Sequence, residues 1–495
     1  MAIKDDIHFN AGNPLLLFQA AADAALKPTP DELRAYPSDP SRYWSAKFSD
    51  FAVPRFLEEM GICAPDEMHG KNLIDTMTFA YGVLHATTLT TDYLTYLVGR
   101  LNKARQDRGM HPLKPAIVTS VPAYTFPLNH MQKRDITLFK MSRTPANNWA
   151  VKPDDLSETL EEIRKGGEYI AIGYYDSNPN NPTGHIRTRD ETRALAEVFD
   201  HHNQEMHALD EVMHCGRSAG ATPANRKMTH RLTIMDDMIY MGLEHASKTP
   251  ASFISQPETA NDTVVFLGVS KYGMPGIRGG LIVTHPMRRP ALFREFWESA
   301  GYAPAPSLIA VAETFSGDSH RFMAREEHLT KLNEAHWHGF QLFRSLVNGT
   351  DNQFLGSYDG KRVFADVVRA VGDAEKASTW LREGIPGLSV HEPESGFFTM
   401  LNAEGLRGSF MPHGVDGISQ RRAGHGIGSV SMLHSLFKAF GAEYLRGDTC
   451  GTSHTNLWER ASFALPPRDI IKGLSATRKA VKSLTFKTPL RRATA

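Results

Sequence analysis

Apolar residues along this chain fall into two patterns. Between residues 79 and 97, Ala80, Val83, Leu84, Leu89, Leu94 and Leu97 lie on one broad face and predict a helix from Phe79 onward. Short apolar runs bounded by Gly, Pro or Asn read instead as strands, at Asn72 to Thr78, Pro115 to Ser120, Tyr169 to Gly173, Met206 to Leu209, Thr263 to Gly268 and Gly280 to Thr284. Helical patterns separate them, at residues 52–61, Asp154 to Lys165 and Arg189 to Asn203. Strands alternating with helices predict an α/β fold with a mainly parallel, doubly wound sheet, whose active residues sit on loops at the strand ends. Beyond about residue 300 the pattern turns helical, as in Arg321 to Leu346, then mixed up to a last helix, Pro467 to Lys482. The first 50 residues, broken by Pro14, Pro28, Pro30, Pro37 and Pro40, predict an arm with short helices. Residues 404–430 are Gly-rich and polar and read as an insertion or mobile loop.

Composition narrows the class. A chain of 495 residues is long enough for two or three domains. Lys+Arg and Asp+Glu both number 55, so there is no electrostatic case for nucleic acid or an anionic membrane. Three cysteines exclude a disulfide framework and fit a reducing compartment. The start, Met-Ala-Ile-Lys-Asp-Asp, has no signal-peptide core and no run of 18 apolar residues occurs, so a cytoplasmic protein is expected. His201, His202 and His207 are not expected to converge, and no metal site is read from them.

Three motifs carry chemistry, in a fixed order. Asn178-Pro-Asn-Asn-Pro-Thr-Gly184 comes first, then Asp210-Glu211, then Ser270-Lys271 with Arg278 across a Gly-Met-Pro-Gly turn. A lysine after the apolar run Val264 to Leu267, with a serine before it and a glycine-framed arginine after it, suits an aldehyde cofactor that carries a phosphate. Pyridoxal 5'-phosphate (PLP) needs an amine for an imine, an acid near its pyridine nitrogen, a donor at its phenolic oxygen and an anion site. Lys271 is the imine-former. Asp210, at the end of the expected strand, is the acid. Asn181 is the donor, in a loop stiffened by Pro179 and Pro182. Ser270 and Arg278 hold the phosphate, with the amides of Phe79 and Ala80 at the expected helix start.

These motifs resemble the class I and II aminotransferases of PLP fold type I. Glu459-Arg460-Ala-Ser-Phe-Ala-Leu465 is similar to the segment whose arginine holds the substrate α-carboxylate, and Pro122-Ala-Tyr124 to the one whose ring stacks on the cofactor. Asn10-Ala-Gly12-Asn-Pro14 resembles the segment that closes over the substrate, and Tyr36 a tyrosine that reaches the neighbouring subunit's phosphate. Met213 stands where the family has tyrosine, three residues after the aspartate, so either His214 or another residue supplies that donor or the cofactor oxygen has one donor fewer. The resemblance implies a large PLP-binding domain over 56–300, with a smaller α/β domain from both chain ends. Residues 1–55 form an arm and part of that domain; 301–495 form an interdomain helix and the rest. It also implies a homodimer that passes an amino group between an amino acid and a 2-oxo acid. The alternative outcome is a PLP-dependent lyase, decarboxylase, cyclase or oxidase. A non-catalytic PLP-binding regulator is a third reading, but residues 1–70 show no helix-turn-helix pattern or basic stripe.

Overall fold

The chain organises around a seven-stranded sheet whose order differs from the order of its strands in sequence. The computed structural model describes residues 7–10, 12–30, 77–80, 82–214, 231–284, 304–316 and 318–486. Strand β1 (Ile7–His8) and helix α1 (Gln19–Ala25) come first, followed by β2 (Met77–Ala80), α2 (Val83–Gln106), β3 (Lys114–Val121), α3 (Thr125–Gln132) and β4 (Thr137–Ser142). Next are α4 (Pro153–Gly166), β5 (Tyr169–Ser177), α5 (Arg189–His214), β6 (Thr233–Asp237), β7 (Thr263–Gly268) and β8 (Gly280–Thr284). The central order is β2-β8-β7-β6-β5-β3-β4, parallel from β7 to β4, with β8 antiparallel to both β7 and β2.

Local chemistry explains the elements that sequence and structure share. Helix α4 opens on Pro153 with Asp154 and Asp155 in its first turn, carries Arg164 and Lys165 in its last, and ends at Gly167 with φ 66°. Its buried face is Leu156, Leu160 and Ile163. In β3 the pleat sends Ala116 and Val118 to the core on one face of the sheet and Ile117 to the core on the other.

Two expectations are corrected. Met206 to Leu209 is not a strand but part of α5, which runs unbroken from Arg189 to His214. Met, Ala and Leu are strong helix formers and the run has no β-branched residue, so the preceding helix continues through it. The strand expected there is β6, whose Thr233 and Ile234 bring β-branched side chains into a fully buried position. Likewise Phe79 and Ala80 do not start a helix; they end β2, paired with Leu281 and Gly280. The chain turns at Gly82, φ 99°, before α2 begins. No helix among the described residues is long and apolar enough to cross a membrane.

The carboxyl ends of β3, β5 and β6 are tied by a buried ion network. Arg143 donates to both Asp176 oxygens at 2.6 Å, Arg187 reaches Asp176 at 3.1 Å and Asp236 at 2.6 Å, and Ser252 Oγ donates to Asp236 at 2.7 Å. Arg143 Nε also donates to Ser120 Oγ on β3.

Downstream lie α6 (Ala305–Thr314), the 30-residue α7 (Ser319–Asn348), α8 (Asn352–Gly356), α9 (Tyr358–Val371), α10 (Ala374–Glu383), β9 (Ser389–Val390) and β10 (Phe398–Asn402). After these come α11 (Val430–Phe440), β11 (Ala442–Glu443), β12 (Leu445–Arg446), β13 (Trp458–Ser462) and α12 (Pro467–Lys482). An antiparallel sheet, β12-β13-β10-β9, forms here, and β1 pairs in parallel with β11, which joins residues 7–8 to residues 442–443. Residues 404–430 pack onto the fold: Leu406, Met411 and Ile427 are buried, and Phe410 bridges to Gly426 and Thr485. Asp318 caps α7, accepting from His320 N and Arg321 N.

At Gly339 in α7, an added Cβ would sit 2.4 Å from the Phe463 carbonyl oxygen, just past β13. Gly339→Ala is expected to cost about 1–3 kcal/mol in urea denaturation. Gly356→Ala, with none of the described residues within 4 Å of the new methyl, should leave the midpoint unchanged.

Candidate functional site

In an open parallel sheet, ligands bind where the strand order reverses, beyond the carboxyl ends. Here β4 lies to one side of β3, while β5, β6 and β7 follow on the other, so the reversal falls between β3 and β5. A cavity of about 310 Å3 opens at that place. Tyr124 enters it after β3, Ser177 and Asn181 at and after β5, Asp237 at the end of β6, Ile239 and Tyr240 just beyond, and Ser270 and Lys271 after β7. Leu84 comes from the first turn of α2, Asn10 and Gly12 from the segment after β1, Phe398 from β10 and Arg460 from β13. A larger open groove of about 1220 Å3, on the outer helices α9 to α12, carries none of these residues.

Buried polar groups fix the loop after β5. Asn178 Nδ2 donates to the Arg187 and Ala251 carbonyls at 3.0 and 2.9 Å, and its Oδ1 accepts from Arg187 N at 2.8 Å. Asn180 N donates to His185 O and Gly184 N to Asn180 O, both at 2.8 Å. With its own backbone so occupied, the loop aims Asn181 into the cavity. Asn181 Nδ2 donates to Tyr240 Oη at 2.9 Å and its Oδ1 accepts from Arg460 Nη1 at 3.2 Å. Tyr240 therefore accepts one bond and keeps its own hydroxyl proton to donate. Burial pushes its pKa well up, so the proton stays.

Lys271 Nζ donates to the Gly12 carbonyl at 2.7 Å and stands 5.3 Å from the Tyr240 ring and 5.4 Å from that of Phe397. Burial first, then the Arg460 charge, lowers its pKa to about 8, with Asp237 pulling the other way. Asp237 is pushed up to about 7 by burial, although Tyr175 Oη donates to it at 2.8 Å and Ile239 N at 3.2 Å. Arg460 is buried, its guanidinium 4.1 Å from the Phe398 ring. Its Nη2 donates to the Asn10 carbonyl at 2.9 Å and its Nε has no partner among the described residues. Arg278 is exposed and has φ 57°, an uncommon conformation for a residue other than glycine. A Cβ added at Gly82 would meet its Nη2 at 3.7 Å, which places the guanidinium beside the first turn of α2.

Lys271, Asn181, Ser270, Arg278, Tyr124, Arg460 and Gly12 thus share one cavity. The side chain of Asp210 is not described. The residue falls within α5, and the acid at the strand end is Asp237. Phe79 and Ala80 lie in β2, and the helix start next to Arg278 is Gly82. Tyr36 lies outside the described residues, and the side chains of Met213 and His214 are not described. Tyr240, three residues after Asp237, fills the spacing at which Met213 follows Asp210. Asp237 and Tyr240 escaped the sequence reading. Their signal was the apolar run Leu232 to Met235, ending in acids with a tyrosine three residues on.

Burial gives Asp237 a dependence of stability on pH opposite in sign to that of an aspartate whose pKa is lowered by a partner. A carboxyl with a raised folded pKa holds its proton in the native state after the unfolded state has lost it, so stability falls as pH rises from about 4 to about 7. Without added ligand, Asp237→Asn should match wild type near pH 4 and exceed it at pH 8 by about 1–3 kcal/mol, read from denaturation at the two pH values.

A family model described as aminotransferase class I and II matches residues 107–212. No curated protein sequence matches the chain. Among solved structures, the aspartate aminotransferase of Rhizobium meliloti is 15% identical, covers 97% of this chain and 92% of its own, and superposes with a TM-score of 0.63. Aspartate aminotransferase from Thermus thermophilus with maleate gives 13% identity, 96% and 92% coverage and a TM-score of 0.61. Substrate-bound BacF from Bacillus subtilis gives 15%, 98% and 92%, and 0.60. At these identities the structural likeness speaks for the fold, and the α/β fold with its mostly parallel central sheet is that of the aspartate aminotransferases. The segment match and the fold together support the resemblance to the PLP-dependent class I and II aminotransferases.

Proposed function

We propose that this chain, with its class I and II aminotransferase segment on the aspartate aminotransferase fold, is a PLP-dependent aminotransferase of amino acids and 2-oxo acids. The observation that carries this reading is the meeting of Lys271, Asp237, Asn181 and Arg460 in one cavity. The cavity fits the cofactor. Lys271 offers the amine, Asp237 the acid for a pyridine nitrogen, and Tyr240 and Asn181 the donors at a phenolic oxygen. Ser270, Arg278 and the first turn of the 24-residue α2 form an anion cradle at Gly82, whose φ of 99° suits glycine. Bound PLP supplies an aldehyde for the amino group and a ring that withdraws electrons from the substrate Cα.

The chain's own residues do the rest. Asp237, half-protonated near neutral pH when alone, becomes a fixed anion beside a protonated ring nitrogen, because a nearby cation favours the ionised carboxyl. Lys271, with its pKa near 8, spends a large fraction of its time as the free amine at mildly alkaline pH, so it can take the Cα proton and later return one. Arg460 pairs with the substrate carboxylate. Its unpartnered Nε and the bonds now made to Asn10 and Asn181 mark donors that a carboxylate can claim. Tyr124 and Ile239 flank the space for the ring.

A missing tyrosine at the Met213 position, or a pocket reshaped by the 404–430 segment, would favour a lyase, decarboxylase, cyclase or oxidase. Tyr240 supplies the tyrosine, and no residue of 404–430 lines the cavity. The reading includes the division at residues 55 and 300 and a homodimer, which light scattering tests.

Purified protein with added PLP should show a visible absorbance band that is absent from Lys271→Ala, and should exchange amino groups between an amino acid and a 2-oxo acid. No band in the wild type would overturn the reading. Arg460→Ala is expected to raise KM for the amino acid about 10–100-fold with the band retained, as for the loss of a charged hydrogen bond of about 1.5–3 kcal/mol.

A further inference from the structure

Glu394 lies outside the cavity, in the short segment that leads to Phe397 and β10. Its carboxylate is nearly buried, 13% exposed, and its contacts come from separate parts of the chain. Oε2 accepts from Ile186 N at 2.9 Å, the amide two residues past the Asn178–Gly184 loop. Oε1 accepts from Asn148 Nδ2 at 2.9 Å and from Lys248 Nζ. His185 sits between two carboxylates, 3.5 Å from Glu394 and 3.5 Å from Glu191. Burial alone would raise the Glu394 pKa, but His185, Lys248 and the Ile186 amide hold it well below the usual range.

The backbone around Glu394 is fastened as well. Its carbonyl accepts from His245 N at 2.7 Å and Ala246 N at 3.1 Å, while Gly396 N and Ser395 Oγ donate to Leu243 O at 2.8 Å. These partners follow Asp237 and Tyr240 by only a few residues. On the other side, Gly184 (φ 73°) has no room for a side chain: a Cβ there would lie 2.5 Å from Pro393 Cβ and 2.7 Å from Ser395 O. Three residues after Glu394 the chain enters Phe397 and Phe398, and β10 carries the Phe398 ring to Arg460 in β13.

From this we infer that Glu394 is a positioning residue, a clamp that sets where Asn181 stands relative to Tyr240 and Arg460. It joins the loop after β5, the loop after β6 and the start of β10, the three segments that carry Asn181, Tyr240 and the ring packed on Arg460. Without its carboxylate, the Ile186 amide and the Lys248 ammonium lose their shared acceptor, and the Asn178–Gly184 loop keeps its packing against Pro393 and the Asn178 bonds to Arg187 and Ala251. The inference rests on the proposed function where it concerns PLP, and on the protein alone where it concerns the loop.

Two measurements separate these parts. Hydrogen exchange on protein without PLP compares wild type with Glu394→Gln. Protection across residues 178–187 should fall by at least about tenfold, with β3 and β7 unchanged. Unaltered protection there would overturn the clamp, whatever the protein binds. The second measurement is a cycle of Glu394→Gln and Asn181→Ala, read as the apparent Kd of added PLP from its visible band. Glu394→Gln alone should weaken binding about tenfold, and in the Asn181→Ala background less than about twofold, because coupled residues are not additive. Equal weakening in both backgrounds would mean that Glu394 does not act through Asn181 and would overturn the positioning role. If wild type shows no PLP band, the functional reading fails while the exchange result still decides the clamp. Should Glu394→Gln not fold, His185→Asn removes one partner of the carboxylate, and exchange across 178–187 is read by the same criterion.

Discussion

Two arginines and two aspartates, buried together at the carboxyl edge of the parallel sheet, constrain what is built above them. An isolated charge in such a place would cost several kcal/mol, so each needs a partner held in good geometry. Arg143, Asp176, Arg187 and Asp236 supply one another, and Ser120, Ser252 and the Trp149 carbonyl take up remaining hydrogen-bonding capacity. Because these groups come from or abut β3, β5 and β6, the strand ends have little freedom to slide. Asp237 itself ends β6, and the loops that leave β3 and β5 carry Tyr124 and Asn181, so all three inherit the same registration.

The other half of the site comes from far away in sequence. Asn10 and Gly12 offer backbone carbonyls to Arg460 and Lys271, while Phe9 O accepts from Ser462 N in the strand that carries Arg460. Pairing of β1 with β11 anchors that N-terminal segment. Cavity cations thus have neutral acceptors, which stabilise them less than an anion would. This leaves a driving force for a carboxylate or phosphate to enter.

Much of the fold was legible because its signals are local. Proline and acids at the start of α4, a glycine at its end and the buried run Thr263 to Gly268 each announce their element within a few residues. Lys271, Asn181 and Arg460 could be placed for the same reason: each sits in a short motif whose backbone chemistry is distinctive. Asp210 was misplaced because an Asp-Glu pair after Met-His-Ala-Leu satisfies a strand-end pattern and a helix equally well. What separates them is tertiary burial, which gives β6 a core on both faces and leaves Met206 to Leu209 to the helix before it. Glu394 had no local signal at all. Its partners lie 146, 208 and 246 residues away in the chain, so only the folded arrangement reveals it.

Asp236 and Asp237 are neighbours on one strand, yet one is locked into the ion network and the other faces the cavity. Strand geometry alternates side chains with a period of two, so which acid does which task is a matter of parity. A single residue inserted within β6 would keep the composition and both carboxylates but exchange their faces. Two inserted residues would preserve the faces and shift only the length. The site is therefore sensitive to odd-numbered changes in one five-residue strand in a way that no count of its amino acids would disclose.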